Sequence, residues 1–184
     1  RSLVIAVGVR PNTSLVKDAG GEVRRGIAAD DTGKTTLPDV YAAGDCAESF
    51  DISAGVNRVL ALLPNAYMQG NTAGINMAGG KANFDQAIPM NAIGFMGLHI
   101  ITAGTYDGET YVHRDGENYK ILFYKDDVLK GYILIGDVAR AGIYTALIRN
   151  RTPLSSIDFK LICEKPQLMA FTARTRRDLL SKQQ

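Results

Sequence analysis

The sequence predicts an α/β piece of about 80 residues followed by an α+β unit of about 100, both within the usual size range of folding units. Three observations predict it. In the first half, an unbroken apolar run of strand length is followed by a short capped helix, a turn and a second apolar run. In the second half, strand-like runs are separated by Asp107-Gly108, Asp115-Gly116 and Asp126-Asp127 at hairpin spacing, the pattern of an antiparallel sheet. Composition changes after Lys81, which places the boundary near residues 80 to 90 and divides the chain into 1–84 and 85–184.

Taken in order, residues 3–7 read as a buried strand with no cap or leader before it, and with Arg1 in first position the chain reads as cut from a longer protein. Gly8 and Arg10-Pro11-Asn12 are turn chemistry. Residues 13–20 form a short helix, with Thr13 or Asn12 as N-cap and Gly20 as its stop. Asp30-Asp31-Thr32-Gly33-Lys34 turns the chain between two short extended pieces, and Pro38-Asp39 introduces a second apolar strand, 40–43, ending at Gly44-Asp45. From 51 to 63 there is no amphipathic period, which predicts a loop with at most a helical turn. Pro64 opens a helix that runs to Met77 or Ala78 and is closed by Gly79-Gly80, following the preference for proline at the start and glycine past the end. Ala66, Gly70, Ala73, Gly74 and Ala78 share a face of it. Each interior glycine costs about 1 kcal/mol relative to alanine, so this face is expected to lie close against another backbone or a flat ligand.

In the second half the expected strands are 98–103, 110–113, 119–124 and 128–135, joined as an antiparallel meander. A helix over 139–150 follows, with Ile143, Tyr144 and Leu147 as its apolar stripe and Thr152-Pro153 as its end. A second short helix is expected over 154–159 and a terminal one over 174–182.

Composition excludes several classes. With 184 residues, 46% hydrophobic and 22% charged, the chain is neither disordered nor collagenous nor a disulfide-rich miniature. Its 21 basic and 19 acidic side chains leave a net charge too small to predict a nucleic-acid partner. The length is short for an enzyme that handles two nucleotides. Only His99 and His113 are present, so a histidine-rich metal site is excluded, and Cys46 and Cys163 form no CxxC pair. With no signal peptide and no apolar run of membrane length, a reducing cytoplasm is the expected compartment. None of the 19 glycines forms a GxG turn, so the backbone approach to a pyrophosphate is lacking.

The strand ending at Gly44-Asp45 places a carboxylate at the carboxyl edge of an open sheet, where such sheets bind ligands. Ionised Asp45 only accepts hydrogen bonds, which suits sugar or sugar-alcohol hydroxyls, and Gly44 leaves room beside the backbone. A local turn in which Asp45 caps nearby amides is the alternative.

The motif is longer than the turn. Val4-Ile5-Ala6-Val7-Gly8-Val9-Arg10-Pro11-Asn12, followed by Thr36-x-Pro38-x-Val40-Tyr41-Ala42-Ala43-Gly44-Asp45, resembles the paired signature of the FAD-dependent pyridine nucleotide-disulfide oxidoreductase family. Leu62-Leu63-Pro64-Asn65-Ala66 with Gln69-Gly70 resembles the start of the helix that follows. The resemblance implies an α/β fragment of a FAD-binding Rossmann-like domain, then an α+β C-terminal dimerisation domain with an antiparallel sheet. It implies FAD and NAD(P)H as cofactors of the intact parent, homodimer formation through 85–184, and N-terminal segments of the parent as the missing partners of this chain. Asp45 would accept from the ribityl hydroxyls of FAD, with Gly44 and Ala43 beside it. Pro64 would start a helix aimed at the flavin ring, with Leu63, Asn65 and Ala66 around it and the amides of Asn65 and Ala66 free. Gly8, Arg10 and Asn12 would lie at the hinge of the nicotinamide domain, where a tight turn and direct cofactor contact remain alternatives.

The glutathione-reductase-like His-Pro-Thr is absent, since His99-Ile100-Ile101 and His113-Arg114-Asp115 do not match it. This points to the NADH oxidase, coenzyme A disulfide reductase and ferredoxin or rubredoxin reductase side of the family. The implied function is hydride transfer from NAD(P)H to FAD and onward to a disulfide, oxygen or a redox protein, with the chain alone inactive. Two alternatives stand beside it: a non-catalytic dimerisation or interaction module, and an unrelated α/β binding domain with a coincidental Gly-Asp turn.

Overall fold

A computed structural model describes residues 2–5 and 8–181, and the chain divides into two units: residues 1–51 with 56–87, and residues 52–55 with 88–184. In the first unit, α1 (Ser14–Asp18) buries Val16 against Ile27, Ala42 and Ala47. Asn12 accepts from the Ser14 hydroxyl at 3.0 Å, and Gly20 ends the helix segment at φ +85°.

Neither strand expected in this unit forms among the described residues. Leu3, Val4 and Ile5 are 85%, 86% and 72% exposed and unpaired, while Ala6 and Val7 of the same expected strand lie outside the described residues. Over 40–43, Tyr41 makes one antiparallel bridge with Lys34 and the Ala42 amide donates to the Gly33 carbonyl at 2.9 Å. Apolar runs of this kind become strands only where neighbouring backbones accept and donate along their length. The described residues provide isolated bridges instead. A parallel contact between Ile27 and Ala47 falls beyond Gly44-Asp45, so the turn does not end a strand of an open parallel sheet here.

The stretch expected as a loop over 51–63 holds half of a hairpin. β1 (Glu48–Asp51) pairs antiparallel with β2 (Val56–Val59). Its inward residues are polar: Glu48, Ser49 and Asp51 are buried. The Glu48 carboxylate accepts from the amides of Arg25 at 3.0 Å and Gly26 at 3.2 Å, and Arg58 pairs with Asp51. Because the two buried carboxylates are paired, they are stable inside, but a search for apolar alternation passes over them.

α2 (Leu63–Met77) forms where expected, beginning one residue before Pro64 and closing at Gly79 with φ +83°. Its buried face carries Asn65, Gln69, Thr72 and Ala73. Close packing on the small-residue face is met at Ala73, which lies against Gly33, and at Ala66, which lies against Gly44. Gly70 and Gly74 are exposed with open space beside them, so among the described residues nothing occupies that part of the face. Asn76 fastens the last turn, donating to the carbonyls of Thr32 at 2.9 Å and Ala82 at 2.8 Å.

The second unit is a five-stranded antiparallel sheet of order β3-β4-β7-β6-β5. β4 (Leu98–Gly104), β5 (Glu109–Asp115), β6 (Asn118–Lys125) and β7 (Val128–Ile135) answer the four expected strands. β3 (Met90–Phe95) was not anticipated, because Asn91 and Gly94 interrupt its apolar pattern. It joins β4 through Met96 and Gly97, at φ +48° and +82°, the positive-φ pair that two-residue hairpins favour. The meander holds for β5-β6-β7, but β4 pairs with β7 and not with β5.

Register aligns Met90, Ala103, Tyr132, Leu122 and Tyr111 in one row across all five strands, facing the core. α3 (Ala141–Arg149) packs on this core through Tyr144, Leu147 and Ile148. Residues 154–156 form a 3-10 turn, and the helix expected over 154–159 instead starts later as α4 (Phe159–Glu164), where Asp158 accepts from the Leu161 amide at 3.0 Å. That N-cap was the available signal. α5 (Ala173–Ser181) answers the expected terminal helix, of which Lys182 lies outside the described residues.

Lys120 shares the core-facing side with Leu134 and sends its amine to the carbonyls of Cys163 at 3.0 Å and Glu164 at 3.1 Å, the free carbonyl end of α4. Burial pushes the Cys163 thiol up to about 11, against the opposing pull of Lys120. Ellman's reagent at pH 8 should therefore leave Cys163 unmodified in the folded chain and label it after unfolding; equal labelling before and after would contradict this placement. The folded thiol keeps its proton to higher pH than the unfolded one, so its contribution is complete below about pH 9 and declines as pH rises toward 11.

Candidate functional site

The segment leading to Gly44 arrives through a turn ordered by Asp30. Partial burial works against that carboxylate's charge, but bonds from the Thr32 hydroxyl and the Thr32 and Lys34 amides outweigh it and hold Asp30 below the usual range. From Lys34 the chain doubles back to Tyr41 and Ala42 and reaches Gly44 at φ +83°, a conformation that costs a non-glycine residue roughly 1–2 kcal/mol. The Gly44 carbonyl then accepts from the Ala47 amide at 3.0 Å, closing a tight turn over Asp45 and Cys46.

The structure brings this turn against the start of α2. A Cβ on Gly44 would stand 3.5 Å from the Ala66 Cβ. The Gly44 amide donates to the Gln69 side-chain oxygen at 2.6 Å. Ala43 is half-buried, with its carbonyl 3.6 Å from the Cys46 sulfur. Asp45 points outward: it is exposed, and its carboxylate accepts no hydrogen bond from the described residues. A turn that used Asp45 to cap its own amides would have consumed that carboxylate.

At the helix start, Leu63 is 88% exposed, and among the described residues its amide has no acceptor. Pro64 is exposed and has no N–H, and Asn65 is fully buried. The Ala66 amide, expected to be free, donates to the Leu62 carbonyl at 2.9 Å. The reason is that the helix begins at Leu63, which moves the first intrahelical bond one residue earlier. The open donor is thus Leu63, at the positive end of a 15-residue helix.

Gly8, Arg10 and Asn12 belong to another place in the unit. Gly8 has φ +128°, Arg10 is exposed, and the Asn12 side chain is engaged with Ser14 at the head of α1. A cleft of about 330 Å³ is lined by Gln69 with Asp30, Asp31, Asn57, Thr72 and Phe84, and includes neither Asp45 nor Leu63. The site residue that sequence reasoning missed is Gln69. Its signal was available: Asn65, Gln69 and Thr72 recur at helical spacing on an inward face, where polar residues require partners.

Comparison with known proteins adds the following. Residues 1–70 match the family described as pyridine nucleotide-disulphide oxidoreductase, and residues 89–152 match the rubredoxin NAD+ reductase C-terminal domain. The chain is 31% identical over 169 residues to the NADH-dependent phenylglyoxylate dehydrogenase subunit epsilon of Aromatoleum evansii, covering 87% of this chain and 40% of that one. It superposes on NADH:rubredoxin oxidoreductase from Clostridium acetobutylicum with a TM-score of 0.61 at 29% identity, covering 79% of this chain and 38% of the other. Against a FAD-dependent pyridine nucleotide-disulphide oxidoreductase from Desulfovibrio vulgaris, a likeness of fold, the TM-score is 0.75 at 23% identity, covering 95% and 48%. The chain spans less than half the length of each of these proteins.

Proposed function

Because the chain belongs to the pyridine nucleotide-disulphide oxidoreductase family, we propose that it supplies one wall of the flavin site of a NAD(P)H-dependent flavoprotein oxidoreductase. The family uses FAD together with a nicotinamide nucleotide. Residues 1–84 are the end of the nicotinamide domain and the closing part of the FAD domain, and 85–184 are the interface domain.

The observation that carries this reading is the free, outward Asp45 carboxylate held beside the first turn of α2. The residues present fit the group. Asp45 accepts from ribityl hydroxyls, which are donors of the kind a carboxylate lacks in this turn. Gly44 and Ala43 keep the adjacent backbone low enough for a chain of hydroxyls to lie against it. Leu63 offers a donor at the positive helix end, suited to the electron-rich edge of the ring, with Pro64, Asn65 and Ala66 fixing that end. Gly8, Arg10 and Asn12 form the hinge that meets the nicotinamide side. Bound FAD would accept hydride from NAD(P)H and pass the electrons to a disulfide, oxygen or a redox protein. This chain alone provides no glycine-rich phosphate turn and is expected neither to retain FAD nor to turn over.

Homodimer formation is assigned to 85–184. The support is the sheet face opposite the core, where Ile93, Phe95, Leu98 and Val112 are exposed. A reducing, cytoplasmic setting suits the two free cysteines. No helix among the described residues is long and apolar enough to cross a membrane.

In the full-length flavoprotein, Asp45→Ala should lower the flavin-to-protein ratio that survives gel filtration by roughly tenfold, the worth of one hydrogen bond to a charged group. Undiminished occupancy would remove Asp45, and with it the proposed wall, from the flavin site.

A further inference from the structure

Two side-chain amides fasten α2 to the rest of its unit, and they sit seven residues apart on one stripe of the helix. Asn76 holds the Thr32 carbonyl and the Ala82 backbone, beyond the end that faces the proposed site. Gln69 holds the Gly44 amide at 2.6 Å, at the site itself. Gln69 is 7% exposed and Gly44 half-buried, so the contact is partly shielded from water, where an unmet amide is costly. Gly44 is also the residue whose positive φ turns the chain immediately before Asp45. Beside this bond, Ala66 of α2 stands against Gly44 at van der Waals distance.

We propose that Gln69 is the positioning residue of the flavin site: its side-chain oxygen, bonded to the Gly44 amide, sets where Asp45 stands relative to the start of α2. The inference rests on the reading of Asp45 as the ribityl acceptor. Gln69 itself touches no cofactor in this account. It is buried behind the turn, and its effect on flavin passes through Asp45. The amide oxygen is the atom that matters, because the group it meets is an N–H donor. A carboxylate in the same place would serve, an apolar isostere would leave the Gly44 amide unpaired, and a shorter amide would draw the oxygen back by one methylene.

The test is FAD affinity of the apo full-length flavoprotein in Asp45→Ala, Gln69→Glu, Gln69→Asn, Gln69→Leu and the Asp45→Ala/Gln69→Leu double variant. Gln69→Leu is expected to raise Kd about tenfold and Gln69→Asn to raise it less, while Gln69→Glu stays near wild type. The double variant should bind no more weakly than Asp45→Ala alone, since a residue that acts only through Asp45 has nothing further to lose. If Gln69→Leu does not fold, Gln69→Asn and its double with Asp45→Ala carry the same comparison. Wild-type affinity in Gln69→Asn and Gln69→Leu, or simple additivity in the double variant, would overturn the positioning role while leaving Asp45 in place. Wild-type affinity in Asp45→Ala would instead overturn the reading beneath it.

Discussion

Gly131→Ala is expected to destabilise the second unit by about 3 kcal/mol or more, at the upper end of overpacking effects. Gly131 on β7 pairs with Gly104 at the end of β4, and the two backbones approach more closely than side chains allow. A Cβ on Gly131 would overlap the Thr105 carbonyl oxygen and stand 2.8 Å from that of Ala103. Both obstacles are backbone atoms, so neither can swing aside as the end of a side chain could. The central β4-β7 pairing would have to open, and with it the row of Ala103 and Tyr132 that faces the core. Gly142→Ala in α3 is the contrasting control, because nothing lies within 4 Å of its added Cβ and a helical glycine gains about 0.4–1 kcal/mol on replacement by alanine. Urea unfolding followed by far-ultraviolet circular dichroism separates the two. A Gly131→Ala midpoint equal to wild type would contradict the observed register.

Leu122→Ala should cost about 2–5 kcal/mol, the range for deleting a buried leucine. Leu122 is fully buried in β6, flanked in register by Tyr132 on one side and Tyr111 on the other. The tyrosines cannot close the resulting gap freely. The Tyr132 hydroxyl lies 2.8 Å from that of Thr145, and Tyr132 also stacks at 5.5 Å on Tyr144, whose own hydroxyl donates to the Ile162 carbonyl at 3.0 Å. Anchored neighbours leave the cavity unfilled, which places the expected loss toward the high side. Val112→Ala, on the opposite sheet face and 53% exposed, should lose far less. Thermal melting of both variants reads the difference, and equal shifts would mean that the helices pack on the other face.

Most of the second unit was legible in the sequence because its elements are self-contained. Strands β4 to β7 find their partners within the chain, so apolar alternation and turn residues were sufficient. β3 was lost to Gly94 and Asn91, and the β4-β7 pairing was lost because local turn signals say nothing about which strand sits beside which. The first unit was less legible for a physical reason. The runs at 3–7 and 40–43 have strand composition, but composition makes a strand only when a neighbouring backbone is present. The hairpin β1-β2 escaped for the opposite reason, since its inward residues are two carboxylates and a serine, and the amides that Glu48 accepts from are distant in sequence. At the site, the Gly44 turn and the helix start were both visible, as were the residues around them. The bond that joins them was not, because a glutamine on a helix reveals its purpose only once its oxygen is seen against a specific amide.

The central claim is that the Asp45 carboxylate receives ribityl hydroxyls, and a paired affinity measurement tests it most directly. FAD and an analogue lacking ribityl hydroxyl groups are titrated into the apo full-length flavoprotein and its Asp45→Ala variant. The wild-type protein should prefer FAD by ten- to a hundredfold, roughly the worth of hydrogen bonds to a charged acceptor, and Asp45→Ala should bind the two flavins alike. The same preference in both proteins would show that Asp45 does not meet the ribityl chain.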